Sequence, residues 1–315
     1  MKISLGALLL AVFFLGAPFR SDGLEIDFTF GTGLMTGVTQ ELVYEGERLL
    51  SRLDWIDRAV PNVDLSARIS ARNFFLRFGL TSAIPVTIGE MENIDFLDRG
   101  SPEITNYSRH NSKLDRDFTL GLEAGYEIPL GLWHMTPSAG VRFRNRKWTG
   151  SGGYKQYPES GPWTGNEPRV WFNGPVISYE QTIWFPFLAL EIGYEHIFPR
   201  EDRARFSITG SLYPAVWVEA DDVHFLRNTV FHDSMSGGVG WSFALRSEFY
   251  PRRANGIGFI LDLRTERIAN VRGSTSSNNT GILTGPPSIS EGHSAGTEVT
   301  QWYVSLGVII PLLRR

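Results

Sequence analysis

The chain has no cysteine among its 315 residues. That excludes a disulfide framework and thiolate chemistry, and it suits folding in an oxidising compartment. Beyond its first segment it lacks any apolar run approaching the roughly 18 residues of a spanning helix, so no transmembrane helix is expected. It lacks a charge excess, and a net charge of −4 offers no basic footprint for nucleic acid. The spaced residues of a nucleotide loop and of HExxH are also missing. The glycine-rich pieces Ser151–Gly153 and Ser236–Gly240 read as flexible chain rather than as phosphate cradles.

What is present begins with a leader. Lys2 gives a positive start, Ile3 to Gly16 form an apolar stretch, and Ala17 or Ser21 could precede a cut. Residues 1–21 are therefore expected to be a secretory signal peptide, with 22–315 a single mature domain.

Apolar residues make up 42% of the chain, and their period shows where they go. From Arg203 to Glu219 the even positions Ala204, Phe206, Ile208, Leu212, Val216 and Val218 are apolar, while Arg203, Arg205, Ser207, Thr209 and Ser211 are polar. This is strand alternation. It recurs in 117–128, 135–146, 239–249, 257–267 and 301–312. Such strands are far longer than the roughly 5–6 residues usual in globular sheets. Charged residues such as Arg142, Arg144, Arg246, Asp262 and Glu266 occupy the polar face in mid-strand. A lumen explains them if the other face meets lipid. The expected fold is all-β, a ten-stranded antiparallel transmembrane β-barrel.

The strands are expected at 24–43, 47–70, 73–90, 115–128, 132–149, 175–197, 203–220, 235–250, 256–272 and 297–312. Short turns near 71–72, 129–131, 199–202 and 251–255 belong on the periplasmic side. Longer loops at 91–114, 151–174, 221–234 and 273–296 belong outside, and 44–46 is a short outer turn. Strands of about 17 residues, tilted near 45°, rise roughly 40 Å, so the barrel should project beyond a lipid band of about 25 Å.

Of six histidines, His134 and His196 fall near the periplasmic side, and His110, His224, His232 and His293 fall in outer loops. His224 has close acidic company in Glu219-Ala-Asp-Asp-Val-His224. In extended chain Asp222 and His224 point the same way, so the carboxylate can orient the imidazole as a general base. A second acidic segment, Glu92 to Asp98, ends the third strand. Strands three and seven run in the same direction, which places Asp95 across the mouth from His224, with space for a water between them. One difficulty is parity. Trp217 and Glu219 carry inward parity, so Asp222 and His224 would point outward unless a bulge between Glu219 and Asp222 re-aims them.

The chain resembles the omptins, outer-membrane proteases, over about Glu41 to Tyr250. The resemblance is carried by Glu41-Leu-Val-Tyr44, Ser51-Arg-Leu-Asp-Trp55, Met91-Glu-Asn-Ile-Asp-Phe-Leu-Asp98, Ser108-Arg-His110, Ala124-Gly-Tyr126, Ser178-Tyr-Glu-Gln181, Trp217-Val-Glu219 and Asp222-Val-His224. It implies an aspartyl-type endopeptidase in which Asp222 and His224 activate water and an Asp-x-Asp pair faces them. That pair falls on Asn93 and Asp95, so one charge is absent. The resemblance also implies two acids binding a basic side chain before the cut. Glu41 matches the first, while the second falls on Ala220, with Asp221 adjacent. It implies outer-membrane lipid as a partner, lipopolysaccharide included, yet one expected basic position reads Thr182. The implied substrates are peptides or proteins at the cell surface, host proteins included. No metal or cofactor is expected. A catalytically weak barrel acting as an adhesin or binding protein is the alternative, and a porin is third.

Overall fold

The computed structural model describes residues 23–279 and 288–314, so the leader 1–21 lies outside the described residues. Antiparallel strand segments make one sheet. They are β1 (Leu24–Glu45), β2 (Arg48–Ala71), β3 (Phe74–Ala83), β4 (Val86–Asp95), β5 (Asn106–Tyr126), β6 (Ile128–Leu130), β7 (Trp133–Gln156), β8 (Val170–Trp171), β9 (Pro175–Ile197), β10 (Arg203–Tyr213), β11 (Val216–His224), β12 (Thr229–Gly237), β13 (Val239–Tyr250), β14 (Gly258–Asn279) and β15 (Ser288–Arg314). The pairs β3/β4, β10/β11 and β12/β13 are single strands interrupted at residues 84–85, 214–215 and 238. β6 continues β5 past Glu127 and pairs with β7 across the turn at 131–132, and β8 lies against β7. Taken so, ten strands run round the ring, and β1 pairs with β15 to close it.

The outward face agrees with the apolar period. Phe206, Ile208 and Leu212 on β10 and Leu188, Leu190 and Ile192 on β9 are exposed. Aromatic residues bound this belt. Trp217 pairs with Trp184 at one edge, and Trp133 pairs with Tyr194 at the other. The ten residue steps from Trp184 to Tyr194 correspond to roughly 23 Å along the barrel axis, close to the height of an outer-membrane apolar band. β9 continues past Trp184 to Pro175. The wall there turns outward Glu180, Glu219 and Asp221, which need water.

The strands are longer at this end than the sequence pattern indicates. β4 and β5 take up both ends of 91–114, β11 and β12 leave only 225–228 between them, and β14 runs to Asn279. His110, His224, His232 and His293 accordingly lie on strands, not in loops. The reason is physical. Above the lipid both faces of the wall can be polar, so the apolar period disappears while the backbone ladder continues.

Ion pairs cross the lumen. Arg144 donates to Glu266 at 2.6 Å, Arg146 lies 2.8 Å from Asp117, and Arg246 donates to Asp262 at 3.0 Å. Nearer the long-loop end, Trp55, Trp148 and Tyr179 stack mutually with ring centroids 5.9–6.2 Å apart, and none is exposed. This aromatic layer is the floor of the mouth.

Candidate active site

The site depends on a change of face within one strand. On β10 Phe206, Ile208 and Leu212 face lipid, and Tyr213 points inward. Past Pro214-Ala215 the order reverses, with Val216, Val218, Ala220 and Asp222 buried and Trp217 exposed. The register explains it. Leu212 pairs with Leu188 and Trp217 with Trp184, so five steps on this strand oppose four on β9. The extra residue is a bulge, the position at which a strand tolerates a proline. The neighbouring strand breaks at the same level, at Gly238, whose φ of +64° no branched residue would adopt easily. β11 then pairs regularly from Trp217 to His224. The bulge expected between Glu219 and Asp222 is therefore found at 214–215, and Trp217 and Glu219 face outward, not inward.

Asp222 is thereby buried, and its Oδ2 lies 2.6 Å from Nε2 of His224. The ring of His224 packs edge-on against Phe231 at 5.3 Å. With Nε2 held by Asp222, Nδ1 is the nitrogen left for a water. Asp222 pairs with Tyr179 across the ladder, five residue steps beyond Trp184, or roughly 12 Å above the belt. The groups of the mouth are thus outside the lipid. Burial lowers the proton affinity of His224, opposed by the acidic groups Glu41 and Asp95.

Glu41 projects from β1 into the same space and is 4% exposed. Burial pushes its carboxyl well up, and the charges of Asp222 and Asp233 push it further. Asp222 is also raised by burial, while a hydrogen bond from Glu41 supports its ionised form. Two carboxyls in contact cannot both ionise cheaply, so the pair holds one proton. Glu41 carries it and donates to Asp222, which stays available as a carboxylate to His224. Asp233 on β12, 5% exposed, is raised to about 6, mainly by burial.

The opposite wall is built by β2, β4 and β5. Ser51 Oγ lies 3.0 Å from Asn93 Oδ1 and 2.8 Å from Asp95 Oδ1. Asn106 Nδ2 donates to Asp95 Oδ2 at 3.3 Å. One hydroxyl proton cannot serve two acceptors. The network closes when Asn93 turns its NH2 to Ser51 and Ser51 donates to Asp95. Burial raises Asp95, while Arg227 and His224 act on it across the mouth and lower it.

The fold thus brings Asn93, Asp95, Asp222, His224, Glu41 and Ala220 to one mouth. Asp221 does not join them. It lies on the outer wall, 2.6 Å from Nδ1 of His232. Ser51, Asp233 and Arg227 belong to the site and were not singled out from the sequence. Ser51 was readable from its even spacing to Leu53 and Trp55 on the inward face. Asp233 and Arg227 sit in a segment that carries no apolar period.

The model of the Omptin family matches residues 23–310. No curated protein matches. Among solved structures, the outer membrane protease OmpT from Escherichia coli superposes with a TM-score of 0.80 at 19% identity, covering 91% of this chain and 97% of that one. The outer membrane protein OprG from Pseudomonas aeruginosa reaches a TM-score of 0.36 at 11% identity, covering 91% and 95%. The chain belongs to the Omptin family, and its fold is that of an outer-membrane protease.

Proposed function

We propose that the protein is an endopeptidase of the outer membrane that cuts peptides or proteins beside basic residues, with its mouth on the cell surface. The observation that carries this reading is the 2.6 Å contact between His224 and buried Asp222, facing Asp95 across the mouth. A water held between His224 Nδ1 and the opposite wall loses its proton to the imidazole as it attacks the peptide carbonyl. Asp222 stabilises the imidazolium, which then protonates the leaving amine. Asp95 accepts one hydrogen of the water. Asn93, with its NH2 turned to Ser51, offers Oδ1 as a neutral acceptor, so it keeps the geometry of a carboxylate without the charge. Glu41 takes the cationic side chain of the substrate. Lipid contact rests on the apolar belt, because Arg116 and Lys147, on the wall beside Thr182, are both paired with Glu180.

The test is cleavage of fluorogenic peptides with and without a basic centre by the refolded barrel. Wild type, His224→Ala and Asn93→Asp run side by side. Activity in wild type that His224→Ala abolishes supports the reading. Activity only in Asn93→Asp identifies a barrel that kept the dyad but serves as a binding protein.

A further inference from the structure

The second acid of the cation pocket should fall at position 220, which is alanine. Its neighbour Asp221 points out of the barrel and is engaged by His232. Yet the pocket remains doubly acidic. Across the β11–β12 ladder the residue paired with Ala220 is Asp233. Its side chain is 5% exposed and points inward with Ala220, Met235 and Asp222. Its charge reaches Glu41, Asp222 and the Tyr179 hydroxyl. Thr275 on β14 hydrogen-bonds it. The small side chain of Ala220 leaves room for a carboxylate arriving from the next strand.

Three further observations indicate a missing cation. Apart from the proton the two carboxyls share, Glu41 Oε2 and Asp222 Oδ1 are buried without a hydrogen-bond partner. Among the described residues, neither Glu41 nor Asp233 has a Lys or Arg within ion-pair distance. Arg267 and Arg272 on β14 face outward, where they pair with Glu298 and Glu47. A buried carboxyl with an empty lone pair is a costly arrangement unless a ligand completes it.

We propose that Asp233 supplies the second carboxylate of the pocket for the substrate's basic side chain, replacing the absent acid at 220 from the adjacent strand. The assignment rests on the endopeptidase reading above and names its specificity residue. A guanidinium entering between Glu41 and Asp233 meets a carboxylate on each side, with Tyr179 beneath. The proton shared by Glu41 and Asp222 leaves as the cation arrives, so the bound side chain also fixes Asp222 as the carboxylate partner of His224.

The experiment measures binding, so that it does not depend on turnover. The probes are an arginine-centred peptide whose scissile amide is N-methylated, and its citrulline counterpart, which has the same shape without the charge. Calorimetry is done on the refolded barrel in lipid nanodiscs. Wild type should prefer arginine strongly. Asp233→Asn should lose about tenfold of that preference, or about 1.4 kcal/mol, and leave citrulline affinity unchanged. Asp233→Ala combined with Ala220→Asp, which moves the carboxylate back across the ladder, should restore it, and this variant answers the question if Asp233→Asn fails to refold. An unchanged arginine-to-citrulline ratio in Asp233→Asn overturns the proposal, as does equal binding of both probes by wild type. Peptide cleavage is scored separately. Preference without cleavage keeps Asp233 and rejects the protease; cleavage indifferent to Asp233 does the reverse.

Discussion

Replacing Glu41 with glutamine should move stability and substrate binding in opposite directions. Glu41 is buried beside Asp222 and Asp233, and its folded-state pKa lies well above the usual value. The folded barrel therefore holds a proton that the unfolded chain has released. Stability contributed by this group is complete below the unfolded pKa and declines as pH rises toward the folded one. The slope is about 1.4 kcal/mol per pH unit between the two. Glutamine keeps the donor to Asp222 and cannot ionise, so the variant should lack this slope and be the more stable protein at pH 8. Binding should suffer. A charge-assisted hydrogen bond to the substrate cation is worth about 1.5–3 kcal/mol, which is roughly 10- to 150-fold in kcat/KM for an arginine-centred peptide. Equilibrium urea unfolding in vesicles from pH 4 to 8 measures the first effect. The ratio of kcat/KM for arginine and citrulline peptides measures the second. A variant less stable than wild type at pH 8, or one with an unchanged ratio, refutes the reasoning.

Three other outcomes follow from the structure. Deleting Ala215 removes the extra residue, turns Asp222 and His224 toward the outer wall, and should abolish cleavage while the barrel still shows its folded, heat-modifiable migration on gels. Because Asp233 is raised to about 6, a cationic substrate that needs its carboxylate should gain roughly tenfold in kcat/KM between pH 5 and 7, a rise that Asp233→Asn flattens in a pH–rate profile. Trp148, fully buried in the aromatic floor, should cost about 3–5 kcal/mol when replaced by alanine, seen as a lower urea midpoint.

Much of this architecture was readable in the sequence because lipid imposes a strict period of two. The ten strands and the lumen arginines follow from it, and the i, i+2 spacing of Asp222 and His224 needs only extended backbone. Parity along an interrupted strand is harder. The need for a bulge could be inferred, but Pro214 marks its place, and a proline within a strand of this kind is a sharper sign than the later chemistry. The rim was underestimated. Segments such as Ser274–Ser277 carry no apolar alternation, since both faces are polar there, so pairing that depends only on backbone hydrogen bonds leaves no trace in composition. Asp233 was missed for the related reason that its place opposite Ala220 is a register between strands, and register is not local.

The most direct measurement is kcat/KM for an arginine-centred peptide by wild type and His224→Ala in the same lipid. The account predicts turnover in wild type and a loss of at least about a thousandfold in the variant, with the barrel still folded. Equal rates in the two proteins, or no turnover by wild type in any lipid, would contradict it.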